Sequence, residues 1–425
     1  MGNADSKQGK TARRIPADEV RALASCLGVK SESDSLSEEK VFKNLSWKEI
    51  ANPVPLKLWK SISRGLPHAK FSNILDLVDA VIYQDPGYAS KYLVNLLEAP
   101  LLDSAAVYTL HLLKLFNTFH TAARDSWQRN GVNPSDETAQ LLTDKMIQSL
   151  HSLTNDDNEE LIMSWLQREP LLYAVQRSVL CSLFKLSSSS IPDIIPLLTC
   201  QLSPKPKPTI LDIYDIMFIN NSLPHDLQSE WSLLFSTRIH GLSFTSMLGK
   251  MMNKGPTLLI IEDTKGHVFG GFASDSWRLG PKFIGNGKCF LFKLHPFMAA
   301  YTATGYNEHH MYLNHQQQTM PNGLGMGGQL GHFGIWIDAD FGKGHSSEGC
   351  STYQRVPTLS AEKEYTIEHL EIWAVGPPPK EDSDDETDGN KRSILDKDSG
   401  AKAMLEMIDR GHHSEGLREV PEETY

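Results

Sequence analysis

No C-x-x-C pair occurs in this chain, and its five cysteines, Cys26, Cys181, Cys200, Cys289 and Cys350, are scattered and odd in number. A disulfide framework needs paired, regularly spaced cysteines and an oxidising compartment, so free thiols in reducing surroundings are expected. Residues 1–20 lack the apolar stretch that a secretory signal requires. No run comes near the roughly 18 apolar residues of a membrane span, which leaves surface attachment as the expected way to meet a bilayer. A basic excess is also lacking. The 41 Lys and Arg face 52 Asp and Glu, giving a formal net charge of −11, the wrong sign for a broad nucleic-acid face. Two acidic stretches, SESDSLSEEK and TNDDNEELIM, lack the central glycine and oxygen spacing of a calcium loop and read as solvated helix starts. What remains is ample for folding: 40% hydrophobic and 22% charged residues over 425 positions support a packed core and about three domains.

The chain opens MGNADSKQGKTARR. Gly2 followed by Ser6 fits the N-myristoylation pattern, in which removal of Met1 frees the Gly2 amine as acyl acceptor. One such chain binds a bilayer with only about 10⁴ M⁻¹, so a second signal is needed. Lys7, Lys10, Arg13 and Arg14, against Asp5, supply one, each worth on the order of 1 kcal/mol near an anionic leaflet. Residues 1–15 are therefore expected to be a myristoylated basic anchor.

Residues 16–202 read as an all-helical, degenerate EF-hand-like domain. IPADEVRALASCLG carries its own punctuation: Pro16 at the start, Asp18 and Glu19 in the first turn, Gly28 past the end. FSNILDLVDAVIYQD places Ile74, Leu75, Val78 and Ile82 at helical spacing. AAVYTLHLLKLFNTFHTAARDSW is expected to be one long helix and DETAQLLTDKMIQSLHSL another. NDDNEELIMSWLQREP begins with acids and is expected to stop at Pro170. Five prolines between Pro192 and Pro208 rule out a long helix there and mark a linker at 187–208. Residues 203–236 are expected to be linker and helix.

From Gly255 the pattern changes. PTLLIIEDT, a turn at Thr264-Lys265-Gly266 and HVFGGFAS read as a hairpin, and KCFLFKL, HMYLNH, GHFGIWIDAD and YTIEHLEIWAV as further short strands. Many short strands with glycine turns imply an antiparallel sandwich, and an α+β chain overall. Within it, Gly323, Gly325 and Gly328 form a G-x-G-x-x-G. A dinucleotide fingerprint must follow a strand and open a helix whose N-terminus faces the pyrophosphate. These glycines run into a strand instead, so a hairpin or bulge with close backbone approach is expected.

WIDADFGKGHSSEGCSTY gathers Asp338, His345 and Cys350, the residue types of an activated thiolate. Neighbours on one loop rarely meet as a triad, however, and Gly342, Gly344 and Gly349 fit a turn-forming loop. Cys350 is expected to be a buried structural side chain, with a thiol enzyme built on Cys350, His345 and Asp338 as the alternative. His309, His310, His315 and His332 lack the companions of a zinc site, and neither a metal nor another cofactor is expected. PPPKEDSDDETDGNK reads as a solvated acidic linker over 377–393. In residues 394–425, Ala401, Leu405 and Ile408 share one face of a short amphipathic helix, with Met404 beside them; marginal alone, it is expected either to dock in a partner groove or to pack back on its own domain.

The segments RIHGLSFTSM, GPTLLIIEDTKGHVFGGFASDSW, CFLFKL, GIWIDADFGKGHSSEGCSTY and YTIEHLEIWAVG, in this order over about 237–376, resemble the TLDc domain family. The resemblance covers about a third of the chain, and the helical half and N-terminal pattern are similar to its mTOR-associated members. It implies a two-sheet antiparallel β-sandwich with flanking helices, followed by a C-terminal helical tail. It further implies a non-enzymatic adaptor on the cytoplasmic face of the lysosomal membrane and in the cytoplasm. Its implied partners are the vacuolar proton pump (V-ATPase), docked through the tail helix, and mTOR or its complexes; the family is also associated with oxidative-stress resistance.

Overall fold

The computed structural model describes residues 12–119, 122–187, 193–199 and 209–377. The described residues divide into two compact units, which do not follow the expected boundary at 202. Of the described residues, those up to 119 and within 142–194 form a helical unit, and those within 122–141 group with those from 195 to 377.

The helical unit begins with α1 (Ala17–Leu27), β1 (Ser35–Ser37), α2 (Glu38–Asn44), α3 (Val54–Ser63), β2 (His68–Lys70) and α4 (Phe71–Val78), whose helical path continues as one π-type stretch, Asp79–Tyr83. Pro16 is the N-cap of α1 and Gly28 ends it in the left-handed region at φ 63°, as their sequence positions require. β1 and β2 pair antiparallel, Leu36 opposite Ala69, so two helix–loop–helix units are joined through their loops. Next come α5 (Pro86–Leu96) and α6 (Leu101–Phe116). The long helix expected over 105–127 is broken here. The Asn117 amide donates to the Leu113 carbonyl at 3.2 Å and the Thr118 hydroxyl to that of Leu115 at 2.7 Å, competing for the acceptors that another turn would use. A separate helix, α7 (Ala122–Arg129), follows, then α8 (Asp136–His151), α9 (Asn158–Arg168) and α10 (Pro170–Leu183). Pro170 does more than stop α9: it opens α10 at a position where its missing N–H costs nothing. Trp47 anchors this unit, fully buried between the edges of Phe42 and Phe184, its indole N–H on the Leu183 carbonyl at 3.0 Å.

The second unit contains β3 (Leu197–Leu198), α11 (Ile213–Ser222), β4 (Glu230–Ser236), α12 (Thr237–His240), α13 (Phe244–Met251), β5 (Thr257–Asp263), β6 (Val268–Ala273), β7 (Gly280–Ile284), β8 (Phe290–His295), β9 (Ala299–Thr302), β10 (Met311–Asn314), β11 (Gly323–Gln329), β12 (His332–Asp338), β13 (Lys343–His345) and β14 (Glu364–Val375). The helical expectation over 203–236 holds only for α11. Residues 230–236 are a strand, because β14 offers an edge on which Phe235 faces Ile372 and Trp231 faces Val375.

Pairing runs β4-β14-β5-β6-β8-β9 in one layer and β7-β10-β11-β12-β13 in the other. β14 belongs to both. Its start, Glu364–Thr366, pairs with β13, and beyond an irregularity at Ile367 it pairs with β5 and β4. Between the layers Leu259, Ile261 and Leu291 meet Leu324, Met326 and Ile335, and α13 adds Met247 and Leu248. This is the expected antiparallel sandwich with flanking helices, an α+β chain. Each buried Leu or Ile here is worth about 1.5–3 kcal/mol.

Residues 121–141 join this unit through Trp127. Its ring lies 5.2 Å from that of Trp373 and 6.0 Å from that of Trp231, and its N–H donates to the Pro196 carbonyl at 2.7 Å. The Ser126 hydroxyl accepts the Leu198 N–H at 3.2 Å.

Candidate functional site

The glycine-rich segment is β11 itself, and it leads through a turn into β12 without opening a helix. Its register on β12 is constant from Gly323–Asp338 to Gln329–His332, so the close approach occurs without a shift in pairing. The glycines make room for rings. A Cβ on Gly323 would lie 2.5 Å from Trp336, and one on Gly325 would lie 2.7 Å from Phe333. Leu324 and Met326, alternating with them, point into the sandwich core. Phe333 and Trp336 stack at 4.6 Å over this glycine floor, beside Tyr312. Gly325→Ala is therefore expected to cost about 1–3 kcal/mol by overpacking, measured as a lower denaturant midpoint at unchanged slope. A neutral result would mean that the rings are free to move.

Among the described residues no hydrogen bond joins Cys350, His345 and Asp338. Cys350 is 3% exposed and part of the sandwich core. A Cβ on Gly327 would approach its sulfur to 2.7 Å, so the thiol is covered by backbone. His345 sits on β13 opposite Trp336 and stacks on that indole at 6.1 Å. Burial lowers its pKa, only partly offset by Glu364 and Asp338, and its Nε2 has no hydrogen-bond partner. Asp338 accepts the Trp336 indole N–H at 2.6 Å. The loop's serines knit neighbouring chain: the Ser346 hydroxyl donates to the Gly334 carbonyl and accepts the Leu359 N–H.

The histidines are equally scattered. His309 stacks on Phe283 and meets the Gly328 carbonyl at 2.7 Å, His310 lies by Tyr353, His315 by Phe244, and His332 by the Glu348 carbonyl. Among the described residues no group of three or more His, Cys, Asp or Glu side chains is arranged to hold a metal.

Of the expected membrane anchor, Gly2, Lys7 and Lys10 lie outside the described residues. Arg13 is already committed. Its guanidinium pairs with the half-exposed carboxylates of Glu32 and Asp76, each at 2.8 Å. The backbone N–H groups of Arg14 and Ile15 bind Asp79 at 2.6 and 2.9 Å, while the Arg14 residue is exposed. Ala401, Met404, Leu405 and Ile408 also lie outside the described residues, as does nearly all of the 377–393 stretch.

Sequence reasoning missed a buried acid cluster at the entrance to α11. Asp212 and Asp215 form a capping box there, Asp215 meets His295, and Glu371 on β14 holds residues 209–210. Acids three apart before an apolar run, in DIYD, were the available signal. Nothing local marks Glu371.

A family model described as the TLDc domain matches residues 205–376. It begins ahead of residue 237, where the sequence resemblance started, and so takes in α11 and β4, which complete the first layer. The chain is 44% identical to the "MTOR-associated protein MEAK7" of Homo sapiens over 305 residues, 69% of this chain and 66% of that protein. It is 41% identical to the protein of the same name in Danio rerio over 308 residues, 72% of this chain and 67% of that protein. Similarity extends to "Oxidation resistance protein 1" of Bos taurus, 33% identical over 152 residues, 36% of this chain and 16% of that protein. The chain thus covers just under two thirds of the human relative. With a matched domain and long alignments to these relatives, the chain belongs to the TLDc domain family.

Proposed function

We propose that this protein is a non-enzymatic adaptor on the cytoplasmic face of the lysosomal membrane that binds the V-ATPase and supports mTOR signalling. The observation that carries this reading is the 44% identity over 305 residues to a protein named as mTOR-associated, an alignment longer than the TLDc match alone. An adaptor role is further supported by the state of the thiol-enzyme candidates: Cys350 lies within the core and Asp338 is engaged by Trp336. Acylated Gly2, with Lys7, Lys10 and Arg14, is the proposed anchor. Arg13, the further basic residue of this proposed anchor, also ties the start of the helical unit to Glu32 and Asp76. The tail face of Ala401, Met404, Leu405 and Ile408 is the proposed contact with the pump.

The test is capture from lysosomal membranes with the wild-type chain, Gly2→Ala, a chain lacking 394–425 and Cys350→Ser, read by mass spectrometry for pump and mTOR-complex subunits. The wild type should recover the pump, the truncation should lose it, Gly2→Ala should lose the membrane fraction, and Cys350→Ser should behave as wild type. If the wild type recovers no pump subunit, the partner assignment is wrong. If Cys350→Ser keeps binding but abolishes the signalling effect, the thiol-enzyme alternative replaces it.

A further inference from the structure

The stretch 209–215 enters the sheet unit held by buried acids at both ends. Glu371, fully buried on β14, accepts the Thr209 hydroxyl at 2.7 Å, the Ile210 N–H at 3.2 Å and the Trp373 indole N–H at 3.1 Å. Three residues on, Asp212 caps α11 with one oxygen, accepting the N–H groups of Tyr214 and Asp215 at 2.7 and 3.1 Å. Its other oxygen accepts the Ser135 N–H at 3.2 Å and the Thr138 hydroxyl. Asp215, 1% exposed, takes the Asp212 N–H at 3.0 Å and lies 3.3 Å from His295 Nε2.

The charge arrangement is unbalanced. Two carboxylates share one helical turn and face a single imidazole, with the acid Glu137 acting on that same imidazole. Among the described residues Glu371 has no cation in hydrogen-bond contact. Arg238, which donates to the Thr209 carbonyl at 3.2 Å and pairs with Glu262, is the charge that acts on it. A buried carboxylate without a paired cation sheds its charge by binding a proton.

We infer that Glu371, Asp212 and His295, the last held against the Asp215 carboxylate, form a proton-binding clasp that tightens the sheet unit on its entry segment 209–215 as the surroundings acidify. This goes beyond the adaptor reading and does not depend on which partner is bound.

The titration directions agree. Burial, against the hydrogen bonds from Thr209, Trp373 and Ile210 and the charge of Arg238, pushes Glu371 up to about 7. Burial and then the adjacent Asp215 raise Asp212, against the N–H and hydroxyl groups that favour its charge. Burial opposes a charge on His295, but the Asp215 carboxylate outweighs it and the net direction is up. A group whose folded pKa exceeds its unfolded value stabilises the fold at low pH and loses that contribution as pH rises through the folded pKa. All three groups therefore act with the same sign, opposite to that of an ordinary paired surface carboxylate. For Glu371, a folded value near 7 and an unfolded value near 4.5 make the open state about tenfold rarer at pH 6 than at pH 8.

The test is hydrogen exchange by mass spectrometry on the full chain at pH 6 and pH 8, corrected for intrinsic exchange. Peptides over 209–215 and β14 are compared with α9 and α10 of the helical unit. Wild-type protection at 209–215 and β14 should be about tenfold or more higher at pH 6, with little change in α9 and α10. Glu371→Gln keeps an oxygen acceptor and mimics the neutral acid. At pH 8 it should reach wild-type pH 6 protection, and its pH dependence should shrink. Should that variant not fold, His295→Gln serves: its pH dependence should be smaller than that of the wild type. Wild-type protection that is flat or lower at pH 6 overturns the clasp. So does a Glu371→Gln chain, or in its place a His295→Gln chain, with the wild-type pH dependence intact.

Discussion

Trp127→Ala should cost the sheet unit about 3–5 kcal/mol, the range for truncating a buried tryptophan. Trp127 has no exposed surface, packs against Trp373 and Trp231, and donates its N–H to the Pro196 carbonyl. Removing the ring leaves a cavity between two other indoles and a buried carbonyl without its donor. For a unit of this size the loss corresponds to a fall in melting temperature of about 10 °C. Thermal unfolding followed by tryptophan fluorescence reads it directly, since the substituted ring is part of the cluster. A loss under about 1 kcal/mol would show that residues 121–141 are only loosely applied to the sheet. The same packing bears on how the domain is bounded. A chain begun at residue 205, where the family match starts, would uncover Trp231 and Trp373. It should be less stable than one that also carries 121–141.

Asp263→Ala is expected to cost about 3 kcal/mol or more, because one carboxylate serves two distant pieces of chain. Its Oδ1 accepts the N–H groups of Lys265 and His267, both at 2.9 Å, which closes the β5–β6 hairpin. Its Oδ2 accepts the Ser360 hydroxyl and the Ala361 N–H, tying down the approach to β14. Asp263 is 2% exposed, so alanine leaves several donors poorly placed to find water. Hydrogen bonds to a charged acceptor are worth about 1.5–3 kcal/mol each, and they are not additive. Asp263→Asn, which keeps one acceptor oxygen, should lose about half as much. Chemical denaturation of the two variants measures both. Equal, small losses would mean that water replaces the carboxylate.

Much of the fold was legible because it is written in near neighbours. Pro16 and Gly28 bracket α1, Lys265-Gly266 turns β5 into β6, and alternation places Leu324 and Met326 inward. The glycines of β11 could be denied a phosphate role from order alone, since a strand and not a helix follows them. What lay beyond reach was the reason for each glycine: Gly323 and Gly325 make room for Trp336 and Phe333 of β12, Gly327 for Tyr353 and Cys350, and Gly328 for the His332 carbonyl. The strand at 230–236 was misread as helix for a related reason. Seven residues fit either period, and the edge of β14, far along the chain, decided between them.

Composition and local pattern determined the class of this protein: an α+β chain with a helical first part, a glycine-punctuated antiparallel sandwich and the motifs of its family. Those properties follow from the φ range of single residues and from periods of 2 and 3.6, which a few adjacent positions specify. Tertiary structure alone decided which charges are spent and which are stranded. Arg13 is consumed by Glu32 and Asp76, Trp127 leaves the helical half for the sheet, and Glu371 meets Thr209 across 162 residues of sequence. Burial and partner choice depend on which distant segments pack together, and they push the Asp212 and Glu371 carboxyls upward in a way that no local pattern could foretell.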